Sequence, residues 1–239
     1  MIGNSNLQFT NATQLNDPFD CHPSLLYYSK GSNGMNQEST SAEWQKEIME
    51  NDALCLRDDT WLCSLSKINN SIVMWSHYGD NHRGACIGLD MEQVKHSVPP
   101  MFGKIYLEPI ELEVKYRDIL KRPEYDYPSW LYQWQTKAKE WEYEQEIRLL
   151  IKEPSPMYAA LTPEQSKRKD VIDWKEVHHY MPLRGECFES IYFGIKIAPA
   201  EKAKIVNYAI SKLNPHIKIY QMGINKDALR LEPILECHK

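Results

Sequence analysis

The sequence predicts an α+β fold of mixed, mainly antiparallel sheets with flanking helices. Three observations carry this. Short segments, of which residues 60–65 are the clearest, alternate apolar and polar side chains with the period of a strand. Longer segments, 130–142 and 199–213, repeat their apolar residues at helical spacing. The two kinds are interleaved without the regular βαβ rhythm of a doubly wound sheet. The 239 residues are read as one domain, 1–239, long enough to bury a core without covalent staples.

The elements are taken in chain order. Leu7, Gln8 and Phe9 alternate like the end of a strand. The chain then enters a turn at Asn16, Asp17 and Pro18, because a residue before proline is held out of the α region and Asn and Asp favour turns. Phe19 is expected to anchor that turn in the core. Residues 31–41 are rich in Ser, Gly and Asn and read as a loop, and 42–51 as a helix. Residues 60–65 form a strand with Trp61 and Cys63 on one face.

Residues 72–78 suit one or two helical turns, with Asp80 and Asn81 as a plain turn after them. Ala85–Leu89 reads as a buried strand, and Pro99 and Pro100 interrupt regular structure beyond it. Residues 112–116 alternate as a strand. Trp130, Trp134, Ala138 and Trp141 fall on one face of a helix over 130–142. A strand comes next at 147–151, and a Pro- and Lys-bearing loop at 154–168. Residues 180–182 and 187–195 read as strands, with Gly194 as a stop. An amphipathic helix over 199–213 ends at Asn214 and Pro215, and 217–222 is a last, exposed strand.

Composition narrows the function classes. A formal net charge of -5 argues against a whole-surface nucleic-acid binder and leaves a local basic groove open. The basic runs 115–117, 121–122 and 167–169 read as solvated faces. Six cysteines include no C-x-x-C pair, so a zinc ribbon is not expected and no metal is assigned. The first sixteen residues lack the apolar stretch of a signal peptide, and no run of about eighteen apolar residues spans a membrane. A cytoplasmic protein with free thiols is the expectation. Glycines are scattered, with no phosphate-cradling loop.

Three polar-aromatic segments remain as places for chemistry. In WEYEQEIR (residues 141–148), Glu144 and Glu146 stand two apart, which puts them on one face of an extended chain with Arg148 next in line. Carboxylates so close repel, so one pKa is expected to rise, fitting an acid, a base or a stabiliser of a sugar cation. The plainer alternative is an exposed strand with a weak Glu–Arg pair. In MWSHYGDNHRG (residues 74–84), Trp75, His77, Tyr78, His82 and Arg83 together could hold a flat, anionic ligand. The alternative places Trp75 and Tyr78 in the core. In NDPFD (residues 16–20), Asn16 and Asp17 either shape a turn or position a ligand.

These segments, in this order, resemble a bacterial domain-of-unknown-function family, number twenty-nine seventy-one. The resemblance spans roughly residues 7–213 and implies a cytoplasmic bacterial or phage-related protein with no established activity. More distantly, the layout is similar to ADP-ribosyltransferase-like folds. That likeness implies an NAD-binding cleft between two sheets, with Glu144-Gln145-Glu146 as a late E-x-E pair and Tyr78 or His77 on a middle element. The opening strand of such folds is expected upstream of Leu7 and has no counterpart here, so no first-strand residue is carried over.

Two functions emerge as expectations. The first is a recognition module, in a phage-defence or toxin setting, whose pocket binds a small molecule or a protein partner. The second is a nucleotide-directed enzyme of ADP-ribosyl or glycosyl-transfer type, with NAD as the cofactor to test. There Glu146 stabilises an oxocarbenium-like centre, Glu144 orients a hydroxyl, and Arg148 or Arg83 meets a phosphate. A Mg²⁺ site built from Asp17, Asp20, Glu144 and Glu146 is a third, weaker reading.

Overall fold

The computed structural model describes residues 4–22, 25, 60–97, 101–102, 105–106, 109–119, 129–152 and 177–236. The elements expected at 31–41, 42–51, 99–100 and 154–168 lie outside them. Within them the fold is α+β, with two main sheets that are mostly antiparallel.

The first sheet is built from β1 (Asn6–Asn11), β2 (Thr60–Ser66), β6 (Ile110–Glu113), β9 (Glu146–Lys152) and β10 (His178–Pro182). Its order is β10-β1-β2-β9-β6, antiparallel throughout. The second sheet holds β3 (Ala85–Leu89), β11 (Phe188–Phe193), β12 (Lys218–Ile224) and β13 (Leu231–Leu235), in the order β13-β12-β11-β3. Only β11 and β12 run parallel in it. Two small pairs complete the strands. They are β4 (Met101–Phe102) with β5 (Ile105–Tyr106), and β7 (Lys115–Arg117) with β8 (Thr136–Ala138).

Strand alternation sorts the side chains into two cores. Phe9, Trp61, Cys63, Leu149 and Ile151 pack toward Phe193, Ile191 and Ile219 of the second sheet. Leu62, Leu112 and Leu150 point the other way, against Ala12, Cys21 and Trp134. The helix α1 (Ile72–His77) is capped by the Ser71 hydroxyl and buries Trp75 against Met222 and Leu231. The short helix α2 (Met91–Lys95) is capped by Asp90. The long helix α4 (Pro199–Tyr208) starts with proline at its first turn, and Ile205 and Val206 lie against the main core.

Five expectations need correction. The helix over 130–142 stops at Gln135, forming α3 (Ser129–Gln135), after which Thr136–Ala138 is strand and Lys139–Glu144 a 3₁₀ helix. Lys137 is the physical reason, because its side chain turns into a buried cluster of carboxylates. The strand over 112–116 divides at Val114, so that β6 pairs with β9 and β7 leaves to pair with β8. The strand at 217–222 is neither last nor exposed, since β13 pairs alongside it and Ile219 and Met222 are buried. Phe19 is 68% exposed instead of anchoring the turn. The chain's opening strand is a full six residues, longer than the end read at Leu7–Phe9.

One irregularity positions the site. β1 and β2 pair only at Thr10↔Leu62 and Asn11↔Trp61. β2 continues to Ser66 with β9 as its partner. The two central strands therefore splay, and a cleft opens between them.

Candidate functional site

The cleft has a volume of about 650 Å³. Its sides come from the splayed strands, Gln8 and Thr10 of β1 and residues 63–66 of β2. Met74 and Trp75 of α1, with Ala85 and Cys86 of β3, close it on the second sheet's side. Asp20, Lys137, Glu144 and Glu146 make its polar floor. The three segments singled out in the sequence thus meet here, joined by Lys137.

The floor is a network of buried ions. Arg148, with no exposed surface, donates from Nε to Glu146 Oε1 at 2.7 Å and from Nη2 to Asp20 Oδ2 at 2.6 Å. Its Nη1 donates to the Trp134 carbonyl at 3.0 Å. Lys137 Nζ donates to Glu146 Oε2 at 2.9 Å and to Glu144 Oε2 at 2.5 Å. It also lies 4.9 Å from the centre of the Trp141 ring.

The two glutamates are unequally served. Glu146 Oε1 also accepts from Ser64 Oγ at 2.6 Å, and Oε2 from Arg148 Nη2 at 3.2 Å. With the bonds from Arg148 Nε and Lys137, this fills the roughly four acceptor positions of a carboxylate. Glu144 accepts from Lys137 and, on Oε1, from the Tyr78 hydroxyl at 2.8 Å. Half its capacity is unused among the described residues.

Charge is set by this geometry. Burial by itself would raise the Glu146 pKa, but Arg148, Lys137 and Ser64 outweigh it and bring it down to about 2. The expected repulsion between neighbouring carboxylates does not raise it, because two cations stand among the acids. Burial works against the Lys137 charge, yet Glu146, Glu144 and Asp20 overcome it and raise its pKa. Burial, and then the bond to Glu144, pushes Tyr78 up to about 12. Buried Cys21 is raised far above the usual thiol range. Cys63, on the cleft wall, is pushed up to about 12 by burial.

Local geometry explains how Glu144 and Glu146 converge. Gln145 between them is left-handed (φ 43), so the chain is not extended there. Its carbonyl accepts from Lys67 N at 3.0 Å, and Glu146 N donates to the Tyr116 hydroxyl at 2.8 Å. The kink brings two carboxylates to one lysine.

The remaining expected residues separate. Asn16 lines the cleft and is a hydrogen-bond partner of Tyr78. Trp75 lines it too and donates from Nε1 to the Asn69 carbonyl at 2.7 Å. Tyr78 reaches in with its hydroxyl while the residue is 56% exposed, so it is not core. Asp17 is buried but borders a different cavity.

His77 is exposed, edge-on to Tyr78 and Tyr143, and is not among the cleft-lining residues. Arg83 pairs at the surface with Asp80 at 3.3 Å. Arg148 is turned inward, so the phosphate contact expected of either arginine has no guanidinium in the cleft. His82 Nε2 lies 3.1 Å from Ser76 Oγ, behind the cleft. Asp80, Asn81 and His82 lie in a turn, as the alternative reading of this segment had it, and all three are left-handed (φ 47, 51 and 68). His82 N to Trp75 O and Gly84 N to Gly79 O, at 3.0 and 2.8 Å, hold this conformation.

Lys137, Ser64 and Asp20 join the site although the sequence does not single them out as central. Lys137 falls on the polar face of the expected helix. Its signal is one of two lysines between Trp134 and Trp141, close to more carboxylates than Arg148 alone can balance. Among the described residues, no group of three or more His, Cys, Asp or Glu is placed to hold a metal ion. The Mg²⁺ reading has no support there, because Asp20, Glu144 and Glu146 face cations and Asp17 lies elsewhere. No helix among the described residues is long and apolar enough to cross a membrane.

Residues 74–149 match the family model described as "Protein of unknown function (DUF2971)". This is the domain-of-unknown-function family that the motifs resemble. The DUF2971 match takes in two of the three segments, residues 74–84 and 141–148, and with them Tyr78, Lys137, Glu144 and Glu146. No curated protein and no solved structure matches the chain. The ADP-ribosyltransferase-like resemblance is carried by neither the family match nor these comparisons.

Proposed function

We propose that this chain is a small-molecule recognition module whose cleft takes a neutral or cationic ligand rich in hydrogen-bond donors. The observation that carries this is the contrast on the cleft floor. Glu146 is saturated, whereas Glu144 lines the cleft with half its acceptor capacity unused. A ligand N–H or O–H on Glu144 replaces water with a charge-assisted bond. The apolar wall of Leu62, Leu65, Met74 and Trp75 suits a flat ring, and a concave, mostly apolar site suits a small molecule better than a protein surface.

Charge selects the ligand class. Asp20, Glu144 and Glu146 stand against Lys137 and Arg148, three carboxylates to two cations. Lys137 is the single basic side chain lining the cleft among the described residues, and it is engaged by carboxylates. Among the described lining residues no uncommitted cation meets a phosphate. A nucleoside or a cationic base therefore fits better than a nucleotide, and of NAD only the cationic nicotinamide-ribose half suits this floor.

A thermal-shift series tests the reading, with adenosine, cytidine and nicotinamide set against AMP, CMP and NAD. The uncharged probes are expected to raise the melting temperature more than their phosphorylated counterparts, and Glu144→Gln to abolish the shift. A monophosphate that stabilises as well as its nucleoside, or a shift that survives in Glu144→Gln, overturns it.

A second reading is ADP-ribosyl or glycosyl transfer. It is favoured by a pair of carboxyl groups, Glu144 and Glu146, at the floor of a cleft between splayed strands. Breaking the bond from the nicotinamide nitrogen to ribose C1′ leaves a cationic sugar, which such a floor stabilises. In this geometry Glu144 faces the sugar and Glu146 holds Lys137 and Arg148 in place. Nicotinamide release from NAD, absent in Glu144→Gln, is the expected signature. Intact NAD after prolonged incubation removes this reading and leaves the first.

A further inference from the structure

Lys137 also borders a second cavity, of about 500 Å³, on its other side. Asp17, Phe19, Arg117 and Trp141 line it. Two of these carry buried polar atoms with no partner, Asp17 Oδ2 and Arg117 Nε. Asp17 is only 2% exposed. Its other oxygen accepts from the Phe19 amide at 2.9 Å, so the turn uses one oxygen and leaves the second unanswered. The Arg117 guanidinium lies over the Tyr132 ring at 5.5 Å. Asp17 and Arg117 form no ion pair with each other, although both border one cavity.

A buried orphan acceptor and a buried orphan donor are both unfavourable when empty. One ligand that supplies a donor and an acceptor satisfies the two together. The walls favour a planar body. Trp141 flanks the cavity, and Phe19 stands 68% exposed beside it, an aromatic side chain the core does not use. An acid and a base of opposite sign are best bridged by a neutral molecule.

We propose that this cavity is a second binding site, for a neutral planar ring carrying an amide-type N–H donor and a carbonyl acceptor. The donor is given to Asp17 Oδ2, the carbonyl accepts from Arg117 Nε, and the ring packs on Trp141 and Phe19. Guanine and uracil rings have this chemistry. The site stands on observations independent of the cleft, so it does not rest on the function proposed there.

Calorimetric titration of guanosine and 1-methylguanosine tests it, because the methyl group removes the N–H donor and leaves the ring and carbonyl. Guanosine is expected to bind the unmodified protein at least tenfold more tightly than 1-methylguanosine. Asp17→Asn and Arg117→Gln should each weaken guanosine at least tenfold, while Arg83→Ala, at an exposed pair bordering neither cavity, leaves it unchanged. Equal binding of the two nucleosides, or guanosine binding unaffected by Asp17→Asn, overturns the proposal. Loss in Glu144→Gln alone places guanosine in the cleft and also overturns it, as does the absence of binding by guanosine and uridine at millimolar concentration. The comparison of nucleosides needs no variant, so it stands even if a substitution impairs folding.

Discussion

Lys137 separates two cavities of comparable size, about 650 and 500 Å³. On the cleft side Arg148 and Glu146 use their full hydrogen-bonding capacity among the described residues, and Glu144 does not. On the far side Asp17 and Arg117 each keep one buried atom unanswered. The difference teaches what a charged residue in a wall is for. Saturated ions such as Arg148 and Glu146 hold backbone segments together. Half-answered ones such as Glu144 and Asp17 are where a ligand has something to gain.

The strongest way to break this contrast is to remove the central cation. Arg148→Met strands Asp20 and Glu146 in the interior, and a buried ion pair broken on one side costs about 3–5 kcal/mol. Urea unfolding should show that loss, and a loss under about 1 kcal/mol, within the range of an exposed pair, would mean that the network is not structural. Lys137→Met should cost less, because Arg148 still serves Glu146. It should disturb both cavities together, read as weaker adenosine and weaker guanosine binding in the same variant.

Acid sharpens the comparison next. The folded Glu146 pKa, about 2, lies below its ordinary value of 4.5. A carboxyl depressed in this way contributes stability that is fully present above the unfolded value and is lost as pH falls toward the folded one. Stability should therefore fall between about pH 4.5 and 2, and Glu146→Gln should flatten that slope. An unchanged slope in the variant would show that other groups carry the acid transition. Glu144→Gln should cost only about 1 kcal/mol, since it trades one charged acceptor for a neutral one. At the bottom of the scale, Arg83→Ala removes an exposed pair and should shift stability by less than about 1 kcal/mol.

Much of the fold was legible because burial leaves a period. Trp61 and Cys63 face one core and Leu62 the other, so β2 alternates in the sequence as it does in space. Ser71 before an apolar run marks the start of α1. The site was legible as segments, since polar-aromatic clusters that no core explains stand out. Its wiring was not. Periodicity tells whether a position is buried and says nothing about which partner makes burial of a charge tolerable. Lys137 has the spacing of an exposed helical residue, and Arg148 that of a strand residue beside a glutamate. Asp17 and Asn16 are adjacent in the chain and face different cavities, a distinction made by a turn's geometry and not by its composition.

The Asp20–Arg148 bond joins residues 128 apart in sequence. Its consequence is kinetic. A cleft floor made of such distant parts cannot assemble from any local fragment, and closing so long a loop is slow relative to forming a helix or a hairpin. Ligand binding should thus appear as a late event in refolding, after secondary structure has returned, and a nascent chain should acquire it only once the residues of β9 are available to meet the turn at Asp20.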